Sequence, residues 1–191
     1  MTEWPVPVEG IIETVVTTPQ PEGDWAVAAL GLHEGAPVSA RTWGNTRTRR
    51  NLEREGRGVV HLVRDPVLFV GAALGEVAAA EPVLSDAHAW VRVRATELER
   101  GVREGTTWIS WELVPQESTV GRKTVPVTDR GYNAVIEATV AASRLDVPAY
   151  DESVLRERLA YFDEVARRCG GPEVTRAMER LVTLSDWDPS A

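Results

Sequence analysis

One stretch of twelve residues holds most of the side chains that could bind a charged ligand. Between Arg41 and Leu52 the sequence RTWGNTRTRRNL contains four arginines, three threonines and two asparagines. An alternating apolar segment precedes it, and a Gly-Asn turn leads into a pattern that predicts a helix over Thr46–Glu55. The start of a helix presents free backbone N–H groups and the positive end of the helix dipole, so this position favours an anion.

The chemistry of the stretch suits a phosphate monoester. Thr46 and Thr48 add hydroxyl donors in the first helical turn, and Asn51 lies one turn further on. Arg41 can offer two parallel N–H groups to a phosphate. The alternative is that Thr46 only caps the helix and that the arginines which follow it form a solvated face (Arg47, Arg49 and Arg50). The residues alone leave both interpretations open.

Two further basic residues, Arg122 and Lys123, follow the last predicted strand, and either a phosphate contact or a plain surface loop would explain them. The three histidines lack the spacing of metal ligands, so no metal site is predicted (His33, His61 and His88). His61 lies in an apolar strand, where a hydrogen-bonded core histidine is the expected role. No catalytic acid or base is evident.

Composition narrows the class of protein. The net charge is −8 and the pI is near 5.0, which argues against nonspecific binding to nucleic acid. No segment has the roughly 20 apolar residues of a membrane span. The first ten residues lack the basic and apolar regions of a signal peptide, and the single cysteine, Cys169, cannot form an internal disulfide. We therefore expect a cytoplasmic protein without a membrane partner.

The first 116 residues read as strands separated by turns. Seven segments alternate or are continuously apolar: Ile11–Thr18, Trp25–Leu32, Val38–Trp43, Val59–Val63, Val67–Leu74, Ala89–Glu99 and Thr106–Gln116. The run VLFVGAAL at Val67–Leu74 is predicted as a strand buried on both faces, with Asp65-Pro66 as the turn before it. A small closed barrel would hide the edges of such strands.

Helical spacing replaces strand alternation after residue 126. Asp129 is predicted to cap one helix, Asp151 or Ser153 a second, and Pro172 lies in the first turn of a third. The predicted fold is mainly β with α: a barrel of about seven antiparallel strands over residues 1–128, and a helical segment over residues 129–191.

Several segments together resemble a known family. IETVVTT, WAVAALGL, ARTWGNTRTRRNL and VVHLVRDPVLFVGAAL, followed by DRGYNAVIEATVAASRL at residues 129–145, are similar to the family called domain of unknown function 447. That family belongs to the FMN-binding split-barrel superfamily, which includes flavin reductases and pyridoxamine phosphate oxidases. The resemblance implies a split barrel, FMN as cofactor and a homodimer with the flavin in a groove between the two copies.

The resemblance also implies roles for residues. The motif at Thr46, Thr48, Asn51 and Leu52 corresponds to the part of the family that helps to hold the flavin phosphate. Trp43 is the best candidate for an aromatic wall beside the flavin ring. The full set of predicted cofactor residues is Arg41, Thr42, Trp43, Thr46, Thr48, Asn51, Arg122 and Lys123. The chain departs from the family pattern at His61, where Asn is usual, and at Ala134, where Arg is frequent.

Two classes of function follow from this resemblance. In the first the protein binds FMN, either as an oxidoreductase such as a flavin reductase, with NAD(P)H or another small molecule as electron donor, or as a flavin carrier or sensor. In the second it is a structural split-barrel dimer that has lost the cofactor. In either case we expect the helices from Asp151 onward to pack on the barrel and to take no part in the flavin site.

Overall fold

The structure is a computed structural model that describes residues 2–75, 77–125 and 127–189. The chain forms two compact units, and neither is continuous in sequence. One consists of Met1–Arg64 and Val77–Lys123, and the other of Asp65–Glu76 and Thr124–Ala191. The chain passes between the units three times, and the last passage follows Lys123, whereas the sequence predicted a single boundary after residue 128. Among the described residues no helix is both long and apolar enough to cross a membrane.

The first unit is a closed antiparallel barrel. Its strands follow the order β1-β4-β6-β7-β3-β2, and β1 also pairs with β2, so that six strands close on themselves. A short seventh strand, β5, pairs with the beginning of β2, at Trp25–Val27. The strands are β1 (Ile11–Pro19), β2 (Trp25–His33), β3 (Ser39–Trp43), β4 (Arg57–Leu62), β5 (Val77–Ala79), β6 (Ala89–Arg103) and β7 (Thr106–Val120). The predicted barrel is confirmed.

Side chains along the strands alternate between the barrel core and the surface. In β6 the side chains of Val91, Val93 and Ala95 are buried, whereas Arg94 between them is exposed. Inward residues from all six closing strands meet in one cluster, to which the helix after β3 contributes Leu52. The predicted hairpin of β6 and β7 is therefore confirmed, although both strands extend further than the predicted segments.

Five helices complete the fold. They are α1 (Arg47–Glu55), α2 (Pro66–Leu74), α3 (Arg130–Ala142), α4 (Glu152–Cys169) and α5 (Pro172–Leu184). Asp129 caps α3 by accepting a hydrogen bond from the Tyr132 N–H at 3.0 Å, and Asp151 caps α4. These caps, and Pro172 at the start of α5, confirm the predicted helix starts.

The prediction of a strand over Val67–Leu74 is wrong, because these residues form α2. Asp65 caps this helix through bonds from the N–H groups of Val67 (2.8 Å) and Leu68 (3.0 Å), and Pro66 occupies its first position. A helix that is apolar on all sides must be buried, and α2 packs against α3 and α5. The short strand β5, which follows it, was not predicted.

The second unit is helical and has its own core. Fully buried side chains from α2, α3, α4 and α5 form one cluster, which includes Val70, Val135, Leu159 and Leu181. An added Cβ at Gly131 of α3 would come within 2.5 Å of the Cα of Gly170, which follows the last residue of α4, so α3 approaches the end of α4 closely at that point. The helical unit is therefore a packed body and not a loose extension.

Candidate functional site

Helix α1 begins where the sequence predicts a phosphate site. Thr46 has extended backbone angles, and its hydroxyl oxygen accepts a hydrogen bond from the Arg49 N–H at 3.3 Å. At the other end Gly56 adopts a left-handed conformation with φ of 58°, and its N–H bonds to the Leu52 carbonyl at 2.9 Å. Both ends of this nine-residue helix are thus set by local sequence.

Several contacts hold α1 on the barrel, among them an ion pair between Glu53 and Arg100 of β6 at 2.8 Å. Leu52 is buried in the barrel core. The Asn51 amide donates to the Thr18 hydroxyl of β1 at 3.0 Å, and Arg54 donates to the Pro19 carbonyl at 2.6 Å. These contacts lie on the second half of the helix and fix its direction. In the first turn Thr46 is exposed and Arg47 is half-buried, whereas Thr48 is buried.

The first turn of α1 offers unused donors. In an α-helix the first N–H groups have no intrahelical acceptor. Those of Arg47 and Thr48 meet no acceptor within the described part of the chain, and the same holds for the Arg47 guanidinium. Arg49 and Arg50 are engaged, since they donate to the carbonyls of Gly44 at 3.0 Å and Asn45 at 2.6 Å. Those two arginines therefore stabilise the turn before α1. Arg47, which makes no such bond to a described residue, is available to a ligand.

Arg41 lies on the outer face of β3 together with Trp43. Its guanidinium carbon is 4.4 Å from the ring centre of Trp108 and 5.9 Å from that of Trp43. The two indoles are 6.5 Å apart and tilted by 48°, and 41% of the surface of Trp43 is exposed. Within the described residues Arg41 has no carboxylate partner. The site thus presents a cation and an exposed aromatic ring on one face.

The charge of Arg41 also acts on a neighbour. Burial lowers the pKa of His33, and the positive charge of Arg41 lowers it further. Because the lowered pKa keeps His33 neutral at physiological pH, the positive charge in this neighbourhood is that of Arg41. That charge is the one an anionic ligand would meet.

Two predicted cofactor residues have structural contacts instead of free polar groups. Thr42 is buried, and its hydroxyl accepts a hydrogen bond from the Trp111 indole N–H at 2.9 Å inside the barrel. Asn51, also buried, uses its amide on Thr18 and its carbonyl oxygen on Arg54 at 3.2 Å. Through these bonds Asn51 supports α1, which agrees with a supporting role in the predicted site.

Arg122 and Lys123 are not brought to the same place as Arg41. Arg41 pairs with Ser110 near the beginning of β7, while Arg122 and Lys123 follow the far end of that strand. Arg122 forms an exposed ion pair with Asp86 at 3.3 Å. In a single copy these two basic residues therefore lie apart from the α1 site.

Sequence reasoning missed Trp108 as a site residue. It is the cross-strand partner of both Trp43 on β3 and Gly101 on β6. An added Cβ at Gly101 would come within 2.6 Å of the Trp108 ring, so the indole lies over the glycine. The Gly-Trp pair could be found from sequence only if the register of the β6–β7 hairpin were known.

His61 is a core residue, as expected from its apolar strand. One ring nitrogen, Nδ1, lies 3.2 Å from the Val15 carbonyl, and Nε2 accepts from the Leu84 N–H at 3.2 Å. Burial lowers its pKa to about 4, which keeps the ring neutral. His61 thus joins β1 to the loop before β6. The described residues contain no cluster of three or more His, Cys, Asp or Glu that could hold a metal.

Comparison with known proteins gives a family and a close structural relative. Two family models match: the N-terminal domain of the protein of unknown function DUF447 over residues 12–122, and a second DUF447 model over residues 129–183. A crystal structure of an FMN-bound DUF447 protein from Methanosarcina mazei superposes with a TM-score of 0.80 at 26% identity, covering 93% of this chain and 96% of that one.

Two flavin proteins are more distant. The styrene monooxygenase flavin reductase from Pseudomonas putida S12 has 16% identity and a TM-score of 0.42, over 59% of this chain and 81% of its own. Flavoredoxin from Methanosarcina acetivorans has 10% identity and a TM-score of 0.44, over 66% and 78%. The family models cover most of the chain on both sides of residue 125. The chain therefore belongs to the DUF447 family.

Proposed function

We propose that this protein binds FMN on the barrel unit, with the flavin phosphate at the N-terminus of α1. The observation that carries the proposal is the FMN-bound family member, which shares the fold over 93% of this chain. The donor set of the site fits the ligand. The donors are the N–H groups of Arg47 and Thr48, the hydroxyls of Thr46 and Thr48, and the guanidinium groups of Arg47 and Arg41, which have no carboxylate partner among the described residues. Donors of these kinds are suited to a phosphate dianion.

Trp43 is the residue that we propose as a wall for the flavin ring. Its indole is exposed on the same face as Arg41, and an exposed aromatic ring offers a flat apolar surface to a flat apolar ligand. Bound FMN would supply the electron-transfer chemistry, while the residues of this chain hold the phosphate, orient the ring and exclude water.

We also propose a homodimer with a shared flavin groove, as the superfamily resemblance implies. The apolar run at Val67–Leu74 offers no surface for such an interface, because it forms a helix that is buried in the helical unit. The exposed apolar side chains of the barrel unit do not form one patch, since Val102 and Val120 lie at opposite ends of the β6–β7 hairpin. The homodimer proposal therefore rests on the superfamily resemblance. In a shared groove Arg122 and Lys123 of one copy could approach the flavin of the other. A monomer mass by light scattering at micromolar concentration would contradict this proposal.

A fluorescence titration tests the binding proposal. A ligand of roughly 30 heavy atoms at about 0.3 kcal/mol each predicts a dissociation constant near or below micromolar for FMN. Riboflavin, which lacks the phosphate, should bind more weakly. Arg41→Ala should weaken FMN by roughly ten- to a hundredfold, because charge-assisted bonds contribute about 1.5–3 kcal/mol each, and it should leave riboflavin nearly unchanged. Equal losses for both ligands would show that Arg41 does not hold the phosphate.

Whether bound flavin turns over is a separate question with a simple assay. A flavin reductase consumes NAD(P)H when FMN is added, and the rate saturates with FMN. A carrier or sensor binds the same FMN without consuming NAD(P)H. A structural dimer without a cofactor would show neither the binding nor the reaction.

A further inference from the structure

The indole of Trp108, near the turn of the β6–β7 hairpin, lies directly over a glycine. Its strand partner on β6 is Gly101, and the indole lies over that glycine so closely that an added Cβ would come within 2.6–2.8 Å of three ring atoms. Any other residue at position 101 would push the ring away. The absent side chain therefore determines where the indole lies.

Arg41 rests on this indole. The 4.4 Å between its guanidinium carbon and the Trp108 ring centre is a stacking distance, shorter than the 5.9 Å to Trp43. Stacking uses the face of the guanidinium and leaves its N–H groups, which point outward in the guanidinium plane, for an acceptor. Within the part of the chain that the structure describes, no carboxylate takes those N–H groups.

We infer that Gly101 and Trp108 are positioning residues for Arg41. The inference rests on the proposed function, because it concerns how Arg41 meets the phosphate of FMN. An arginine on a strand has four rotatable side-chain bonds and loses their freedom when it binds an anion. Stacking on Trp108 removes part of that freedom before the ligand arrives, so less is lost on binding. The inference assigns no ligand contact to Trp108 itself.

A double-mutant cycle separates positioning from direct contact. Four proteins are titrated with FMN and with riboflavin: the unmodified protein, Trp108→Leu, Arg41→Ala and the double variant. Trp108→Leu should weaken FMN by roughly three- to tenfold and change riboflavin by less than twofold. In the Arg41→Ala background Trp108→Leu should have no further effect on FMN. A retained aromatic ring in Trp108→Phe should preserve most of the FMN affinity.

Gly101→Ala provides a second route that keeps the tryptophan. The new Cβ must displace the indole, so FMN binding should weaken while riboflavin binding stays constant. This variant and Trp108→Phe keep the inference testable if Trp108→Leu does not fold. Unchanged FMN affinity in Trp108→Leu and Gly101→Ala would overturn it. So would an equal loss for riboflavin, or the same loss in the Arg41→Ala background.

Failure of the proposed function gives a different result. If the unmodified protein does not prefer FMN to riboflavin, or if Arg41→Ala binds FMN normally, the phosphate site itself is wrong. If both of those tests succeed and the Trp108 and Gly101 variants bind FMN normally, only the positioning inference is wrong.

Discussion

At the scale of single residues, Thr46 combines a structural role with a proposed ligand role. Thr46→Asp separates them, because Asp is as good an N-cap as Thr, and its charge is favourable at a helix start. Its carboxylate would repel a phosphate. We expect unfolding free energy within about 0.5 kcal/mol of the unmodified protein, FMN affinity at least about tenfold weaker and riboflavin unchanged, measured by urea unfolding and by titration.

Matched variants complete the comparison at this position. Thr46→Ser keeps both the cap and the hydroxyl, and should behave like the unmodified protein. Thr46→Ala loses the cap and should lower the unfolding free energy by about 1 kcal/mol. If Thr46→Asp binds FMN as tightly as the unmodified protein, the phosphate lies elsewhere.

His61 should make stability depend on pH. Its folded-state pKa of about 4 lies below the unfolded value of about 6.5, so the unfolded state binds more protons between these two values. The stabilisation is therefore complete above about pH 6.5 and is lost as pH falls toward 4. Between pH 7 and pH 5 we expect a loss of about 2 kcal/mol of unfolding free energy, measured by urea unfolding.

The control for this effect is His61→Asn, in which an amide replaces the imidazole. An amide does not titrate over this range, so the slope of stability against pH between 7 and 5 should be smaller by the contribution of one group. The same slope in both proteins would assign the pH dependence to other groups.

At the scale of elements, helix α2 depends on its cap. Asp65 accepts hydrogen bonds from two backbone N–H groups at the start of α2. Asp65→Ala removes both acceptors and should lower the unfolding free energy by about 1 kcal/mol. Asp65→Asn keeps a capping oxygen and should cost a few tenths of a kcal/mol at most. Equal losses in urea unfolding would show that the charge, and not the cap, matters.

The same helix shows where sequence patterns fail. Periodicity distinguishes a strand from a helix only when one face is polar, and Val67–Leu74 has no polar residue. Asp65-Pro66 was the available signal, since Asp is a common N-cap and Pro a common first helical residue. The pair also fits a turn before a strand, so this local signal does not separate the two alternatives. The amphipathic elements, β6 and α4 among them, were predictable because one of their faces is polar.

The candidate site was predictable only in part, for a related reason. The start of α1 could be located because caps and turns are local signals, encoded within a few residues of Thr46. The contacts of Thr42 with Trp111 and of Arg41 with Trp108 join strands that are far apart in sequence. They depend on register, which a single sequence does not show.

At the scale of the whole molecule, the two units have separate cores, and a mutation can address one of them. Leu159 of α4 is completely buried in the helical core. Leu159→Ala should lower the unfolding free energy by about 2–5 kcal/mol, yet FMN affinity per folded molecule should not change, because the proposed site lies on the barrel unit. Calorimetry and titration of the folded fraction provide the two measurements.

Val154 on the same helix is the matched control, since it is exposed. Val154→Ala should change stability by less than about 0.5 kcal/mol. Loss of FMN affinity by folded Leu159→Ala protein would show that the helical unit takes part in the flavin site, contrary to our expectation.

The path of the chain has a consequence for synthesis. Helix α2 ends at Leu74, whereas its partner α5 ends at Leu184, so about 110 residues must be made between them. At about 5–20 residues per second, the side of α2 that packs on α5 stays without its partner for on the order of 5–20 s during synthesis. During that interval the nascent chain exposes the surface that chaperones recognise and that aggregation exploits. A gene cut after residue 128 would make that temporary exposure permanent.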